Sequence, residues 1–216
     1  MRSNVAYKLM LAFIAAFLLY MGVLYVIVDP QASHFLQEKL VLRPSFHKPV
    51  WLTVMHVHLA AAAIAFSAGA LNFSPVLLAR RKKLHRLLGY TYLLAVAVTD
   101  LTSGYMAPHA TGGKLSSVGF NVMNILWLAA TAAAFVYIRR GNVHKHRRWM
   151  VRSFMFCFTN FFTKAIAFIG TGVFGADYVA AYTAGVWGSL ALDVVIAEII
   201  VRTVYREPSS GAGLSR

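Results

Sequence analysis

Apolar residues run along this chain in six long stretches that are separated by short polar connections. The stretches are 9–28, 51–73, 88–107, 118–138, 149–173 and 182–201. Each is close to the roughly 20 residues that an α-helix needs to cross the hydrocarbon core of a bilayer. A spanning segment must satisfy its own backbone hydrogen bonds, so unbroken runs of this length favour helices over the alternating strands of a barrel. The pattern predicts an all-α integral membrane bundle of about six transmembrane helices.

Basic residues alternate between the two sides of the predicted bundle. The amino terminus, the connections after the second and fourth runs, and the carboxyl tail together hold sixteen Lys and Arg residues, whereas the other connections hold four. Connections on the cytoplasmic side of a membrane carry an excess of Lys and Arg. The distribution therefore predicts that both the amino terminus and the carboxyl terminus are cytoplasmic.

Composition supports one membrane domain with no separate soluble domain. The chain has 216 residues, of which 59% are hydrophobic and 13% are charged, and soluble domains carry about a quarter charged residues. We predict a single membrane domain over 1–206 and a disordered Ser/Gly-rich tail over 207–216. The net charge of +14 sits in clusters between apolar runs, which excludes nucleic acid and indicates the lipid bilayer as the partner.

Several ionisable residues fall inside the predicted spans, where they are costly and usually face the bundle interior. Asp100, Lys164 and Asp193 each lie near the middle of a run, and Glu198 follows near the end of the last one. One interpretation is a structural group in which Lys164 neutralises one or two aspartates. The other is an intramembrane path for protons or ions. The sequence leaves both open.

Histidines lie near both faces of the predicted bundle. His58 and His109 lie toward the outside, and His85 and His146 lie toward the cytoplasm. A neutral imidazole can bind a metal or a haem iron, so His58, His85 and His146 are candidate metal ligands. One bis-histidine haem b in each leaflet would be architecturally similar to the two-haem b-type cytochromes. Alternatively, the cytoplasmic histidines are ordinary interfacial residues in basic loops.

The basic residues beside these histidines admit two interpretations as well. Arg86, Arg147 and Arg152 lie where a haem propionate or a lipid phosphate would be held, and Arg contacts either anion through two parallel hydrogen bonds. They are equally explained by topology and by snorkelling to the headgroups. The sequence has no glycine-rich phosphate loop and no hydrolase motif. No catalytic residue is assigned, and whether the protein is an enzyme stays open.

Two segments carry a family resemblance. His85 to Tyr92 reads H-R-x-x-G-x-x-Y, and His146 to Ser153 reads H-R-x-W-M-x-R-S. Both resemble a family of bacterial predicted membrane proteins catalogued as a domain of unknown function. The likeness extends over roughly residues 55 to 165. It includes the positions of His58, Gly69, Asn72, Gly119, Phe120, Trp127 and Lys164, although this chain has Asn72 and Lys164 where the family has Gln and Arg.

The resemblance implies a multi-pass protein of the bacterial cytoplasmic (inner) membrane and singles out His58, His85 and His146, but it implies no activity. Three functions remain as hypotheses. The first is a b-type haem or quinone-linked electron carrier with a redox partner. The second is a proton-coupled transporter that uses the Asp/Lys group. The third is a non-catalytic membrane assembly factor.

Overall fold

The computed structural model of the chain describes residues 2–33, 36 and 46–205. These residues form α-helices and short helical turns, with no β-strand among them. The α-helices of this part of the chain are α1 (Arg2–Gly22), α2 (Lys48–Asn72), α3 (Pro75–Arg80), α4 (Lys82–Met106), α5 (Gly113–Arg139), α6 (Val143–Met155), α7 (Thr159–Gly172) and α8 (Tyr178–Thr203). The predicted all-α membrane fold is confirmed. The predicted tail over 207–216 lies outside the described residues.

Five segments of the described chain are long and apolar enough to cross a membrane. They are Val5–Val28, Lys48–Asn72, Gly113–Arg139, Val143–Gly172 and Tyr178–Thr203. The remaining predicted run lies in α4. This helix has 25 residues and is therefore long enough to cross a membrane, but polar residues such as Thr99 and Asp100 make it less apolar than the other five. Both termini lie on one side only if α4 also crosses, so the cytoplasmic orientation stays a prediction.

Side chains at the starts of α6 and α8 cap the first helical turn by accepting hydrogen bonds from its backbone. Gly141 adopts a left-handed conformation (φ 73°) in the turn between α5 and α6. The Asn142 side chain then accepts a hydrogen bond from the backbone N–H of Lys145 at 3.0 Å. Asp177 does the same for α8 by accepting from the N–H of Ala180 at 3.1 Å. Each contact satisfies a donor that the first helical turn leaves without a partner.

The fifth predicted run is divided. Where the apolar pattern of 149–173 suggests one continuous helix, a 3₁₀ turn at Phe156–Phe158 separates α6 from α7. The tighter turn changes the helical phase. A ring at the end of α6 and a ring of the turn itself both reach α2, where the centroids of Phe154 and Phe158 lie 5.7 Å and 4.8 Å from that of Phe66. Aromatic packing thus joins the α6–α7 junction to the bundle core.

Helices α7 and α8 approach each other closely through glycine. A Cβ atom placed on Gly185 would lie 2.6 Å from the backbone oxygen of Thr163. Gly170 similarly faces Ala181, and Gly188 faces Ile166. Small residues at helix interfaces let backbones come together in a membrane, where the hydrophobic effect between helices is absent. This interface forms one wall of a cavity lined by Thr163 and Tyr182.

Candidate functional site

Two adjoining cavities of about 420 Å³ and 430 Å³ lie among α1, α2, α4, α5, α7 and α8. Both have a mainly apolar and aromatic lining, as small-molecule sites do, and both fall in the usual size range of such sites. The residues common to the two linings are Met21, Tyr25, His58, Leu59, Ser103, Phe120, Asn160, Thr163 and Tyr182. In the described part of the chain, neither lining includes an aspartate or a glutamate.

His58 belongs to both cavities and is held from α4. Its Nδ1 atom lies 3.2 Å from the carbonyl oxygen of Thr99 and 3.1 Å from the hydroxyl of Thr102. A carbonyl oxygen only accepts hydrogen bonds, so Nδ1 carries the hydrogen and donates it. In the neutral imidazole this leaves Nε2 with a bare lone pair. His58 therefore offers the cavity a hydrogen-bond acceptor that could also ligate a metal.

Lys164 on α7 lines the first cavity. Its Nζ atom lies 3.4 Å from the hydroxyl of Tyr25 and 5.7 Å from the centroid of the same ring. Tyr25 belongs to a π-helical turn, Val23–Val28, that continues α1, and turns of this kind are frequent at functional sites. Among the described residues Lys164 has no carboxylate in ion-pair range. The cavity thus contains a basic side chain that no acidic residue of its described lining offsets.

The predicted outer pair of histidines does not meet in these cavities. His109 lies in a 3₁₀ turn, Ala107–His109, that follows α4. Its ring centroid lies 5.2 Å from that of Phe46, and His109 is absent from both linings. Of the two outer candidates, only His58 faces the cavities.

The predicted inner pair lies away from the cavities and has its own partners. With its amide oriented to satisfy its neighbours, Asn72 donates from its nitrogen to Nδ1 of His85 at 3.1 Å and accepts from the N–H of Gly89 at 3.0 Å. The hydrogen of neutral His85 is then on Nε2. His146 instead donates from Nδ1 to the carbonyl oxygen of Ala134 at 2.8 Å. A bis-histidine haem needs one ring nitrogen without a hydrogen on each histidine. In His85, Nε2 carries the hydrogen and Nδ1 accepts from Asn72, so neither nitrogen is available in this arrangement.

The two inner histidines are nonetheless close enough to affect each other electrostatically. His85 precedes the apolar run of α4. Burial lowers the pKa of His85, and the nearby positive charges of His146 and Arg147 lower it further. Both effects disfavour the protonated imidazole. The contact with Asn72 therefore joins the end of α2 to the start of α4 best when His85 is neutral.

We expect acidification to destabilise the protein in part through His85. A lowered folded-state pKa means that the unfolded chain binds the proton more tightly, so stability is full above about pH 6.5 and falls as the pH drops below it. As the pH falls, the melting temperature, measured by circular dichroism in detergent, should therefore drop less in His85→Asn than in wild type. The side-chain oxygen of the new asparagine can still accept a hydrogen bond from Asn72. Identical slopes for wild type and His85→Asn would contradict this.

The arginines predicted to hold an anion differ in their surroundings. Arg86 and Arg147 are exposed. Arg152 is half-buried, donates from Nε to the Glu198 carboxylate at 2.6 Å, and stacks on the ring of Trp149 at 4.7 Å. The ion pair joins α6 to α8, because Glu198 lies on α8. The Arg152 guanidinium is thus engaged in a contact between helices.

The ionisable residues predicted to form one intramembrane group do not converge. Lys164 contacts Tyr25, as described above. Asp193 is buried and accepts a hydrogen bond from the hydroxyl of Thr159 at 2.5 Å. Asp100 is buried on α4, and neither of its carboxylate oxygens has a hydrogen-bond partner in the described part of the chain. Among these residues no ion pair or continuous hydrogen-bonded relay joins the three.

The two motif segments meet in a buried network of hydrogen bonds. The Tyr92 hydroxyl lies 2.7 Å from the Ser153 hydroxyl, which lies 2.6 Å from the hydroxyl of Thr131. Trp127 donates from its indole nitrogen to Tyr92 at 3.3 Å, and Thr131 donates to the Trp127 carbonyl oxygen at 2.7 Å. These side chains join α4, α5 and α6. The final Tyr and Ser of the two motifs are therefore explained by packing rather than by chemistry at the cavity.

Comparison with known proteins shows the family. A family model described as predicted membrane protein, DUF2306, matches residues 55–201. The chain belongs to the DUF2306 family. This confirms the resemblance inferred from the two motif segments, and the function of DUF2306 is unknown. No curated protein and no solved structure matches the chain, and the likeness to two-haem b-type cytochromes stays a prediction.

The DUF2306 match contains His58, Lys164 and both motif segments, whereas α1 lies before it. Yet α1 and its π-helical turn supply part of the cavity wall, including Tyr20, Met21 and Tyr25. Tyr25 and Tyr182 were not identified from the sequence, because a tyrosine near the end of a span is usually a membrane-interface anchor. In the described part of the chain, no three His, Cys, Asp or Glu residues lie close enough together to hold a metal ion.

Proposed function

We propose that this DUF2306 protein binds a quinol-class ring ligand inside the bacterial cytoplasmic membrane, as a quinone-linked component of electron transport. The observation that carries the proposal is His58, whose Nδ1 atom is committed to the Thr99 carbonyl and whose Nε2 atom is left as an acceptor in an apolar cavity. A quinol combines a flat apolar ring with hydroxyl donors, and both features match this surface.

The lining suits the two parts of such a head group. Met55, Leu59 and Phe120 supply apolar and aromatic surface beside His58, against which a ring can pack. A ring hydroxyl would donate its hydrogen bond to Nε2 of His58. Ser103 and Asn160, which line both cavities, provide further polar groups to orient the ring. A few polar groups within an apolar wall give small-molecule sites their specificity.

Binding of a simple quinol tests the proposal directly. We expect the protein, reconstituted in lipid nanodiscs, to bind naphthohydroquinone in anaerobic calorimetry. His58→Ala should weaken this binding by about tenfold, which corresponds to one hydrogen bond in a buried site. His109→Ala removes a histidine near the same end of α4 that lines neither cavity. It should change the affinity by less than about twofold, which is a smaller change in binding free energy than the loss of one hydrogen bond.

Two results would reject the proposal. One is an absence of binding to wild-type protein whose circular dichroism and melting temperature show that it is folded. The other is equal binding by wild type and a folded His58→Ala variant. Equal losses in His58→Ala and His109→Ala would also count against a specific role for His58, because only one of these histidines faces the cavities.

A haem b is the second candidate, and the bare Nε2 atom of His58 favours it as well. An imidazole whose Nδ1–H is held by a carbonyl is oriented to ligate iron through Nε2. Met55 and Met106, which line the first cavity with His58, are thioether residues of the kind that serve as second ligands. A reducible Soret band that is lost in His58→Ala would favour haem over quinol. A colourless protein that binds naphthohydroquinone would favour the quinol.

A further inference from the structure

Lys164 is the feature of the cavity that a neutral quinol leaves unexplained. A cationic side chain in a membrane-spanning helix is costly and is normally paired. The described lining around Lys164 supplies no carboxylate, and the nearest polar partner is the Tyr25 hydroxyl at 3.4 Å from Nζ. A phenol is a neutral partner and does not balance the charge of an ammonium group. The described lining of the cavity therefore supplies no balancing negative charge.

We infer that the ligand supplies the negative charge that balances Lys164. The cavity then binds an acidic quinol, which is an aromatic ring with a hydroxyl for His58 and an ionised carboxylate for Lys164. This inference rests on the proposed function and names the class of ligand. Lys164 and His58 line the same cavity, and the inference places both contacts on one small molecule. A charge-assisted hydrogen bond from Nζ to a carboxylate is about twice as strong as a neutral one, and it is stronger still away from water.

Tyr25 completes the proposed anion site. Its ring lies under Nζ, with the centroid 5.7 Å away, and its hydroxyl can donate to a carboxylate oxygen. The residue reaches this position from the π-helical turn Val23–Val28, which lies before the DUF2306 match. Recognition of the carboxylate thus combines Lys164, within the family match, with a residue of the first helix. A single ammonium group balances one negative charge, so it favours a carboxylate over a phosphate monoester, whose second negative charge would stay unbalanced.

A matched pair of compounds tests the inference. Naphthohydroquinone and dihydroxynaphthoate have the same ring and hydroxyl groups, and only the second has a carboxylate. We expect wild-type protein in nanodiscs to bind dihydroxynaphthoate at least about tenfold more tightly by anaerobic calorimetry, the difference made by a charge-assisted hydrogen bond. Lys164→Met should abolish that preference and leave the affinity for naphthohydroquinone within about twofold, a change too small for a lost hydrogen bond.

Matched variants separate a specific contact from a general effect of charge. Lys114→Met removes an exposed lysine at the start of α5 and should keep the wild-type preference. Lys164→Gln retains a hydrogen-bond donor without the charge and serves as the second variant if Lys164→Met does not fold. Decanoate, a carboxylate without a ring, should bind more weakly than dihydroxynaphthoate and without dependence on His58.

The outcomes distinguish the two proposals. If wild type binds the two ring compounds equally, or if Lys164→Met keeps the preference for dihydroxynaphthoate, the acidic-quinol inference is wrong while the proposed function stands. If decanoate binds most tightly and requires Lys164 but not His58, the ligand is a fatty acid, and both the quinol and its acidic form are rejected. If no ring compound binds to folded wild-type protein, both proposals fail.

Discussion

Replacing Gly185 with alanine is expected to destabilise the protein substantially. The new Cβ would lie 2.6 Å from the backbone oxygen of Thr163, and a backbone atom cannot move aside as the end of a flexible side chain can. Helices α7 and α8 would have to separate. Overpacking of this kind costs about 1–3 kcal/mol. Unfolding by denaturing detergent, followed by circular dichroism, measures the loss.

Gly104→Ala is the matched control for this prediction. Gly104 is also in a long helix, but no atom lies within 4 Å of a Cβ placed there. Alanine has a higher helix propensity than glycine by up to about 1 kcal/mol, so this variant should be as stable as wild type or slightly more so. The α7–α8 contact would have to be looser than described if Gly185→Ala were equally well tolerated. Because Thr163 lines both cavities, Gly185→Ala should also weaken ligand binding.

Removal of the Tyr92 hydroxyl should have the second large effect. Tyr92→Phe keeps the buried ring but leaves the indole N–H of Trp127 without its partner, and the hydroxyl of Ser153 keeps only its contact with Thr131. An unsatisfied polar group in a buried position costs about 1–3 kcal/mol. We expect a loss of stability of that size, measured by the same detergent titration. Tyr92 lines neither cavity, whereas its partner Trp127 lines the second, so the affinity for naphthohydroquinone should fall less in the folded variant than in His58→Ala.

Tyr90→Phe supplies the control two residues away. Tyr90 is exposed, with its ring 6.4 Å from that of Phe135, and loss of its hydroxyl should change the stability by no more than about 0.5 kcal/mol. The double variant Tyr92→Phe/Ser153→Ala should lose less than the sum of its two single variants, because the partners share one network. Additive losses would show that the two hydroxyls act independently, contrary to the 2.7 Å contact between them.

The inner histidines show how far sequence reasoning could reach. Their positions at the cytoplasmic face and the family resemblance singled out His85 and His146 as candidate ligands, and the structure does place them within electrostatic reach of each other. The sequence could not show that Asn72 engages Nδ1 of His85 or that Nδ1 of His146 faces the Ala134 carbonyl. These contacts depend on how neighbouring helices are rotated about their axes, and they determine which ring nitrogen carries the hydrogen.

The grouping of Asp100, Lys164 and Asp193 rested on their similar depth in the predicted spans. All three lie at similar depths along their runs, and depth is what a count of residues from the end of a span measures. Two residues at the same depth still point in different directions if their helices face different neighbours. In the structure Lys164 faces a cavity and Tyr25, whereas Asp193 is buried against Thr159. Depth alone therefore predicted a contact that the described residues do not make.

The sequence by itself determined the all-α membrane fold, the approximate positions of the apolar helices and the DUF2306 family. The fold and the helix positions follow from the local composition of each run, because any segment that crosses a bilayer must be apolar and must satisfy its own backbone. The family instead followed from the resemblance of the two motif segments, His85 to Tyr92 and His146 to Ser153. Only the tertiary structure decided that His58 and Lys164 share a cavity, that Tyr25 joins them, and that Tyr92 and Ser153 join the helices instead. Those relations depend on the rotation and close packing of helices far apart in the chain, which no local pattern of apolar residues specifies.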